Sequence, residues 1–320
     1  MRAFPLPEQT QERAMTLHPF ITALLGKMKE RPALSAGTPA DARAMVAAGR
    51  AVLGAGPALA EIRDLAVPTR GGSLRARLYR PEGSVHGLIV YLHGGGWMIG
   101  EIEDYDTLAR TLAGESGCAV LLPDYRLAPE YPFPAGLEDA EDVLTYAARG
   151  TVELLGQSLP VVVGGDSAGA NLATVALRRL RGSVEAVAQF LIYPVTDCDF
   201  ERPSYGSYGA GLPLTRQDMI WFFRHYAPER FWSSPDIAPL RAGDLGGLPP
   251  ALVTVAEYDV LADEGRAYAD RLEQAGIRVT RRIAPGVTHG FIRLHNLFDT
   301  ARDEVRAAAI FAAQVCRAAA

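Results

Sequence analysis

The chain is 320 residues long, 48% hydrophobic and 22% charged, with a formal net charge of −5. That length suits one large α/β domain, or such a domain with a smaller appendage, and the composition is that of a soluble globular protein. No Lys/Arg-dense block is present and the longest apolar runs fall well short of the roughly 18 residues a membrane span requires, so a nucleic-acid partner and a membrane span are both excluded.

The cysteines Cys118, Cys198 and Cys316 are odd in number and far apart, so neither a metal site nor a disulfide framework is predicted. Met1 to Pro7 lack the apolar run of a signal peptide. A cytoplasmic protein is expected.

Residues 1–55 carry helical patterns over Gln9–Met28 and Pro39–Leu53, with Leu17, Phe20, Ile21, Leu24 and Leu25 on one apolar face. Pro39 and Asp41 suit a helix start, and Gly54 and Gly56 suit its end. With no strand of its own, this segment cannot be half of a βαβ unit and is predicted to be the first part of a helical cap. From Ile62 the texture becomes strand-helix alternation, beginning with a hairpin of Ile62–Pro68 and Leu74–Tyr79 around Gly71-Gly72. Strands follow over 87–92 and Ala119–Leu122, separated by a helix over Tyr105–Ser116. A helix over Ala135–Ala148 precedes the β-branched run at Val161, and Ala188–Val195 reads as a further strand.

The alternation breaks over 198–236, a stretch rich in Pro, Gly and aromatic residues that is long for a simple connection. It is predicted as the second cap segment, with a helix over Gln217–Tyr226. Alternation resumes with strand Ala251–Val255, helix Asp263–Ala275, strand Val279–Ile283 and helix Asp299–Arg317. The predicted architecture is a mostly parallel sheet of about eight strands with helices on both faces and a helical cap. Its core comprises residues 56–197 and 237–320.

Chemistry centres on Gly165-Asp166-Ser167-Ala168-Gly169, which lies between a predicted strand and a run of good helix formers. Strand, tight turn, Ser and helix are the setting of a nucleophile elbow, in which small flanking residues let strand and helix close around a reactive hydroxyl. A Ser nucleophile needs a general base, and the base needs a carboxylate to set its tautomer. On an α/β-hydrolase frame the chain order is Ser, then Asp or Glu, then His. Of the six histidines, His18, His86 and His93 precede Ser167, and His225 lies in the cap insertion. Between the remaining two, His289 follows the last strand directly, whereas His295 reads as a surface or structural side chain. Glu257, Asp259 and Asp263 follow the preceding strand. Asp263 and Glu264 suit the first turn of a helix, and spacing leaves Glu257 and Asp259 even. The early run His93-Gly94-Gly95-Gly96 offers backbone amides, which with the Ala168 N–H would form an oxyanion hole, predicted as Gly94, Gly95 and Ala168.

These pieces carry a resemblance. His93-Gly94-Gly95-Gly96-Trp97, Asp124-Tyr125-Arg126-Leu127-Ala128-Pro129-Glu130, Gly165 to Gly169, Glu257 to Gly265 and His289-Gly290-Phe291 resemble the hormone-sensitive-lipase-like esterases of the α/β-hydrolase fold. The Asp before the Ser is similar to the subgroup named for Gly-Asp-Ser-Ala-Gly. The resemblance spans the chain from about residue 62 onward and extends to the helical first 55 residues. It implies a Ser167-His289-Asp259 triad and thereby selects Asp259 over Glu257, although Val260 stands where the family more usually has Pro. It also implies that Asp124, Arg126, Glu130 and Asp139 hold loops around the site and take no part in the chemistry.

The expected activity is cofactor-free hydrolysis of small-molecule esters with short to medium acyl chains, since a covered aromatic pocket suits these better than long lipid chains. Met15, His18, Phe20, Tyr205, Tyr208 and Phe222 are predicted to line that pocket. Related esterases are often dimers, which makes a homodimer an expectation. Two other readings stand beside this one. A deacetylase or amidase would use the same triad, and a ligand-binding member of the fold would have lost the histidine that is present here as His289.

Overall fold

The computed structural model describes residues 15–28 and 32–319. Expectations for residues 1–14, namely the absence of a signal segment and the first turns of a helix starting at Gln9, lie outside the described residues. Strands β1 (Glu61–Thr69) and β2 (Gly72–Arg80) form an antiparallel hairpin, with Thr69 opposite Gly72 across a two-residue turn. Strands β3 (Leu88–Leu92), β4 (Ala119–Pro123), β5 (Val161–Asp166), β6 (Ala188–Ile192), β7 (Ala251–Tyr258) and β8 (Val279–Thr288) complete one sheet in the order β1-β2-β4-β3-β5-β6-β7-β8. All pairings from β4 to β8 are parallel, and β2 joins β4 antiparallel.

Every residue of β3, β4, β5 and β6 is buried, which explains their unbroken apolar composition: both faces of the sheet are covered. Side chains still alternate. Ile89, Tyr91, Val120 and Leu122 join Leu108, Leu112, Val305 and Ala309 of helices α4 (Ile102–Ser116) and α10 (Asp299–Ala319). Leu88, Val90 and Leu121 face the opposite way, toward Val143 and Ala147 of α5 (Ala135–Leu155). On that second face α5 lies beside α6 (Ala168–Arg179), and α9 (Ala262–Gln274) continues the layer. Among the described helices none is long and apolar enough to cross a membrane.

Several boundaries differ from expectation for identifiable reasons. The first described helix runs over Pro19–Met28, with Met15–His18 outside it, because Pro19 is acceptable in a first turn and not inside a helix. The predicted helix over Pro39–Leu53 breaks at Gly49 into Pro39–Ala47 and Arg50–Leu53. The helix α5 passes through Gly150 and ends at Gly156, whose φ is 78°, because Leu154 and Leu155 have core to bury against. The strand β8 runs five residues past Ile283 and through Pro285. As the last strand in the sheet order, it can tolerate a missing donor.

Two segments meet above the strand ends. One is the N-terminal set of helices; the other is the insertion holding α7 (Pro203–Tyr208) and α8 (Arg216–Tyr226). Arg43 donates to the Met98 and Ala128 carbonyls, and Arg50 donates from Nε to Asp104 at 2.8 Å, so the N-terminal helices are clasped to the loops after β3 and β4 and to α4. The Ser35 N–H donates to Asp218 at 2.9 Å and ties the two segments together.

Candidate active site

At the end of β5 the chain reverses direction through Ser167, whose φ of 54° and ψ of −120° are costly for a residue with a Cβ. The neighbours explain the glycines on either side. A Cβ on Gly169 would lie 2.0 Å from the Leu92 carbonyl oxygen, and one on Gly165 would lie 2.6 Å from both Leu92 and Gly169 backbone. Strand, turn and helix can therefore approach this closely only with glycine at both places. Ser167 is left at the mouth of α6, 7% exposed.

His289 leaves the end of β8, and Asp259 leaves the end of β7. The Asp259 Oδ2 lies 2.7 Å from His289 Nδ1, and His289 Nε2 lies 2.9 Å from Ser167 Oγ. A carboxylate can only accept, so Nδ1 carries the proton and donates it, leaving Nε2 to accept from the Ser167 hydroxyl. The Asp259 side chain is fully buried, and its Oδ1 accepts from the Leu261 N–H at 3.0 Å, which fixes its orientation. Such a line can draw a proton from Ser167 as its oxygen attacks an electrophile. The other candidates go elsewhere. Glu257 accepts from the Gly286 N–H at 2.8 Å, and Asp263 accepts from the Ser204 N–H at 2.7 Å. His295 is buried against Thr111 Oγ1 at 2.9 Å, and burial lowers its pKa to about 4, so it is structural.

The glycine loop requires a correction. The Gly94 N–H donates to Asp166 Oδ1 at 2.9 Å, so it is not free to meet an oxyanion. Among the described residues the N–H groups of Gly95, Gly96 and Ala168 donate to no protein acceptor. Gly95 and Gly96 hold φ values of 119° and 60°, the left-handed side of the map that glycine enters without strain. Asp166 therefore serves as the anchor of the loop, and plain helix capping does not describe it. Besides Gly94 it accepts from the hydroxyls of Tyr91 at 2.9 Å and of Tyr105 and Tyr193 at 3.3 Å. Burial pushes its carboxyl pKa up, and these donors oppose the shift by favouring the ionised form. Its partners come from three distant stretches, so the local motif that holds Asp166 carries no sign of this anchoring role.

A cavity of about 660 Å³ opens onto Ser167, His289 and Gly94–Gly96. Leu24, Leu25, Leu34, Met45 and Val46 cover it from the N-terminal side; Leu212, Leu214, Met219 and Phe222 cover it from the insertion. Of the predicted lining residues only Phe222 is in this wall. Met15 is 46% exposed, and Phe20 stacks on Phe298 with ring centres 5.0 Å apart. His18 pairs with Asp299 at 3.0 Å. Tyr205, in α7 of the insertion, is buried with its hydroxyl toward Glu264, and Tyr208 packs edge-on to Tyr258. Aromatic content is no guide to which way a side chain points. The apolar helical face that includes Leu24 and Leu25 was the usable signal. Arg126 donates to both oxygens of Asp139, and Arg43 to Glu130, away from the reacting groups. Among the described residues no cluster of three His, Cys, Asp or Glu could hold a metal ion.

A family model described as the α/β hydrolase fold matches residues 89–293. Carboxylic ester hydrolase LipN of Mycobacterium tuberculosis is 40% identical over 74% of this chain and 66% of its own length. Ethyl acetate hydrolase of Pseudomonas putida is 41% identical over 75% of this chain and 78% of its own. Among solved structures, the hyperthermophilic esterase from the archaeon Pyrobaculum calidifontis superposes with a TM-score of 0.87 at 35% identity, over 94% of this chain and 99% of that one.

Proposed function

Since the chain belongs to the α/β-hydrolase fold family, in its hormone-sensitive-lipase-like esterase branch, we propose that it hydrolyses short- to medium-chain acyl esters with Ser167 as nucleophile, His289 as general base and Asp259 as the carboxylate that orients it. The observation that carries this reading is the Ser167–His289–Asp259 line of 2.9 Å and 2.7 Å hydrogen bonds at the floor of a covered cavity.

In the first half-reaction Ser167 Oγ attacks the ester carbonyl carbon while His289 Nε2 takes its proton, and Asp259 balances the charge on the imidazole. The carbonyl oxygen becomes an oxyanion met by the N–H groups of Gly95, Gly96 and Ala168, each worth about 3–4 kcal/mol in comparable sites. Their lack of other partners supports this role, as does the engagement of the Gly94 N–H by Asp166. The His289 proton then passes to the leaving alcohol, the C–O bond breaks and an acyl-Ser167 remains. Water, deprotonated by His289, repeats the sequence and releases the acid. The two covering segments, with their apolar walls, support an apolar acyl group held out of solvent beside Ser167.

The test is hydrolysis of p-nitrophenyl esters across acyl lengths. Activity should peak at short to medium chains, and Ser167→Ala and His289→Ala should each lower kcat by at least about a thousandfold. Activity that survives Ser167→Ala would sink the assignment. Asp259→Asn should cost more than Glu257→Gln, and the reverse order would move the acid to Glu257. A homodimer is proposed as well, supported by β8 as a sheet edge with Ile283 55% exposed on it. A monomer by light scattering at micromolar concentration would end that reading.

A further inference from the structure

The cavity wall is apolar over most of its area, yet a guanidinium stands in it. Arg293 belongs to the short helical turn Phe291–Leu294 that follows His289 and is, among the described residues, the one Arg or Lys lining the cavity. Its side chain is only 19% exposed. Its Nε donates to the Asp104 carbonyl oxygen at a long 3.3 Å, and its Nη2 forms an ion pair with the buried Asp104 Oδ1 at 3.6 Å, too long for a hydrogen bond. Its guanidinium carbon lies 5.1 Å from the centre of the Tyr105 ring, which orients the group without consuming its donors.

The nearby carboxylates are already engaged. Asp104 accepts from Arg50 Nε at 2.8 Å and from the Glu101 N–H at 3.0 Å. Asp218 accepts from the Ser35 and Thr215 N–H groups at 2.9 and 3.0 Å, and from the Thr215 hydroxyl at 2.6 Å. Asp166 is held by Gly94 and three tyrosines, as described above. Arg293 thus brings the N–H donors of Nη1 and Nη2 to the cavity with no hydrogen-bond acceptor among the described residues to take them. While the cavity is wet, water meets them. A purely hydrocarbon substrate would expel that water and replace none of its hydrogen bonds.

We propose that Arg293 is a specificity residue that recognises an acceptor oxygen, a carbonyl or a carboxylate, carried by the ester substrate away from the scissile bond. The inference rests on the ester-hydrolase reading above and narrows its substrate class to esters bearing a second oxygen function. A site with an unfilled donor discriminates against the analogue that lacks the acceptor more strongly than an apolar wall discriminates between hydrocarbons. The planar fork of Arg suits a carboxylate bidentately and a carbonyl through one N–H.

Ethyl pentanoate, ethyl levulinate and ethyl hydrogen succinate form a nearly isosteric series with no second oxygen function, a neutral one and an anionic one. A matched set of acetates places the same groups on the alcohol side. In the wild type, kcat/KM for at least one oxygenated member should exceed that of its hydrocarbon counterpart by about tenfold, the scale of a charge-assisted hydrogen bond. The neutral and anionic arms identify which acceptor is favoured. Arg293→Met should bring that ratio to about one, and Arg293→Lys should restore part of it. A structural role would lower all rates together and leave the ratio intact, which would overturn the proposal, as would a wild-type ratio near one. Binding of the same esters to Ser167→Ala, followed by calorimetry, reads the preference without turnover. Failure of ester hydrolysis is thereby separated from failure of the Arg293 assignment.

Discussion

Asp166 and Glu264 are both buried carboxylates whose pKa values burial pushes up, and each is held by a different set of donors. Asp166 draws on an amide and three tyrosine hydroxyls. Glu264 accepts from the Thr196 and Asp197 N–H groups at 2.7 and 3.1 Å, and burial pushes its pKa up to about 8, with the nearby Asp197 charge adding to the rise. A folded-state pKa above the unfolded value means that the folded protein keeps a proton the unfolded chain releases. Stability from this group is therefore complete below about pH 4, falls as pH rises and is lost by the time pH passes the folded value. Glu264→Gln keeps an acceptor for both N–H groups and cannot ionise. The Tm of the wild type should drop relative to this variant between about pH 5 and 8, and parallel Tm-against-pH curves would refute the assignment. Chain order alone removes most histidines, so the sequence narrows the candidate site to Ser167, His289 and a short list of acids. It placed Glu264 only as a first-turn helix acid, since burial by a loop some 70 residues earlier, about Thr196 and Asp197, leaves no trace in local pattern.

At the scale of elements, α8 shows how one side chain can serve two purposes. Thr215 and Asp218 form a reciprocal cap at its N-terminus, and Asp218 also receives the Ser35 N–H from the other covering segment. Thr215→Ala should lose the cap alone, about 1 kcal/mol. Asp218→Ala should lose the cap and the tie, leaving Phe222 and Met219 less firmly placed over the cavity. We expect a lower Tm in both and a several-fold rise in KM for Asp218→Ala only. Equal KM changes would assign the whole effect to the cap. Element types were legible from period and composition, and their ends were less so. Gly150 and Pro285 look like stops, and each lies inside an element because packing or an edge position removes the usual cost.

At the scale of the molecule, a mostly parallel sheet of about eight strands was implied by strand-helix alternation, whereas the cavity walls came from two segments whose mutual placement no periodicity specifies. The reacting line has the same long-range character. Ser167 and His289 are 122 residues apart in sequence, and Asp259 and His289 are 30 apart. Parallel neighbours such as β5, β6 and β7 cannot zip from a turn; each needs a crossover to close first. Folding must therefore meet the loop-closure entropy of a 122-residue separation before Ser167 meets His289, and nucleation by local helices does nothing to assemble that pair. On the proposed mechanism, a nascent chain that has emerged only as far as α6 holds Ser167 without His289 or Asp259. On dilution from denaturant, far-ultraviolet circular dichroism should recover ahead of ester hydrolysis, and coincident recovery would contradict this order of events. The arrangement makes hydrolytic competence a late signature of completed folding, so that turnover itself reports whether the sheet has closed to its last strand.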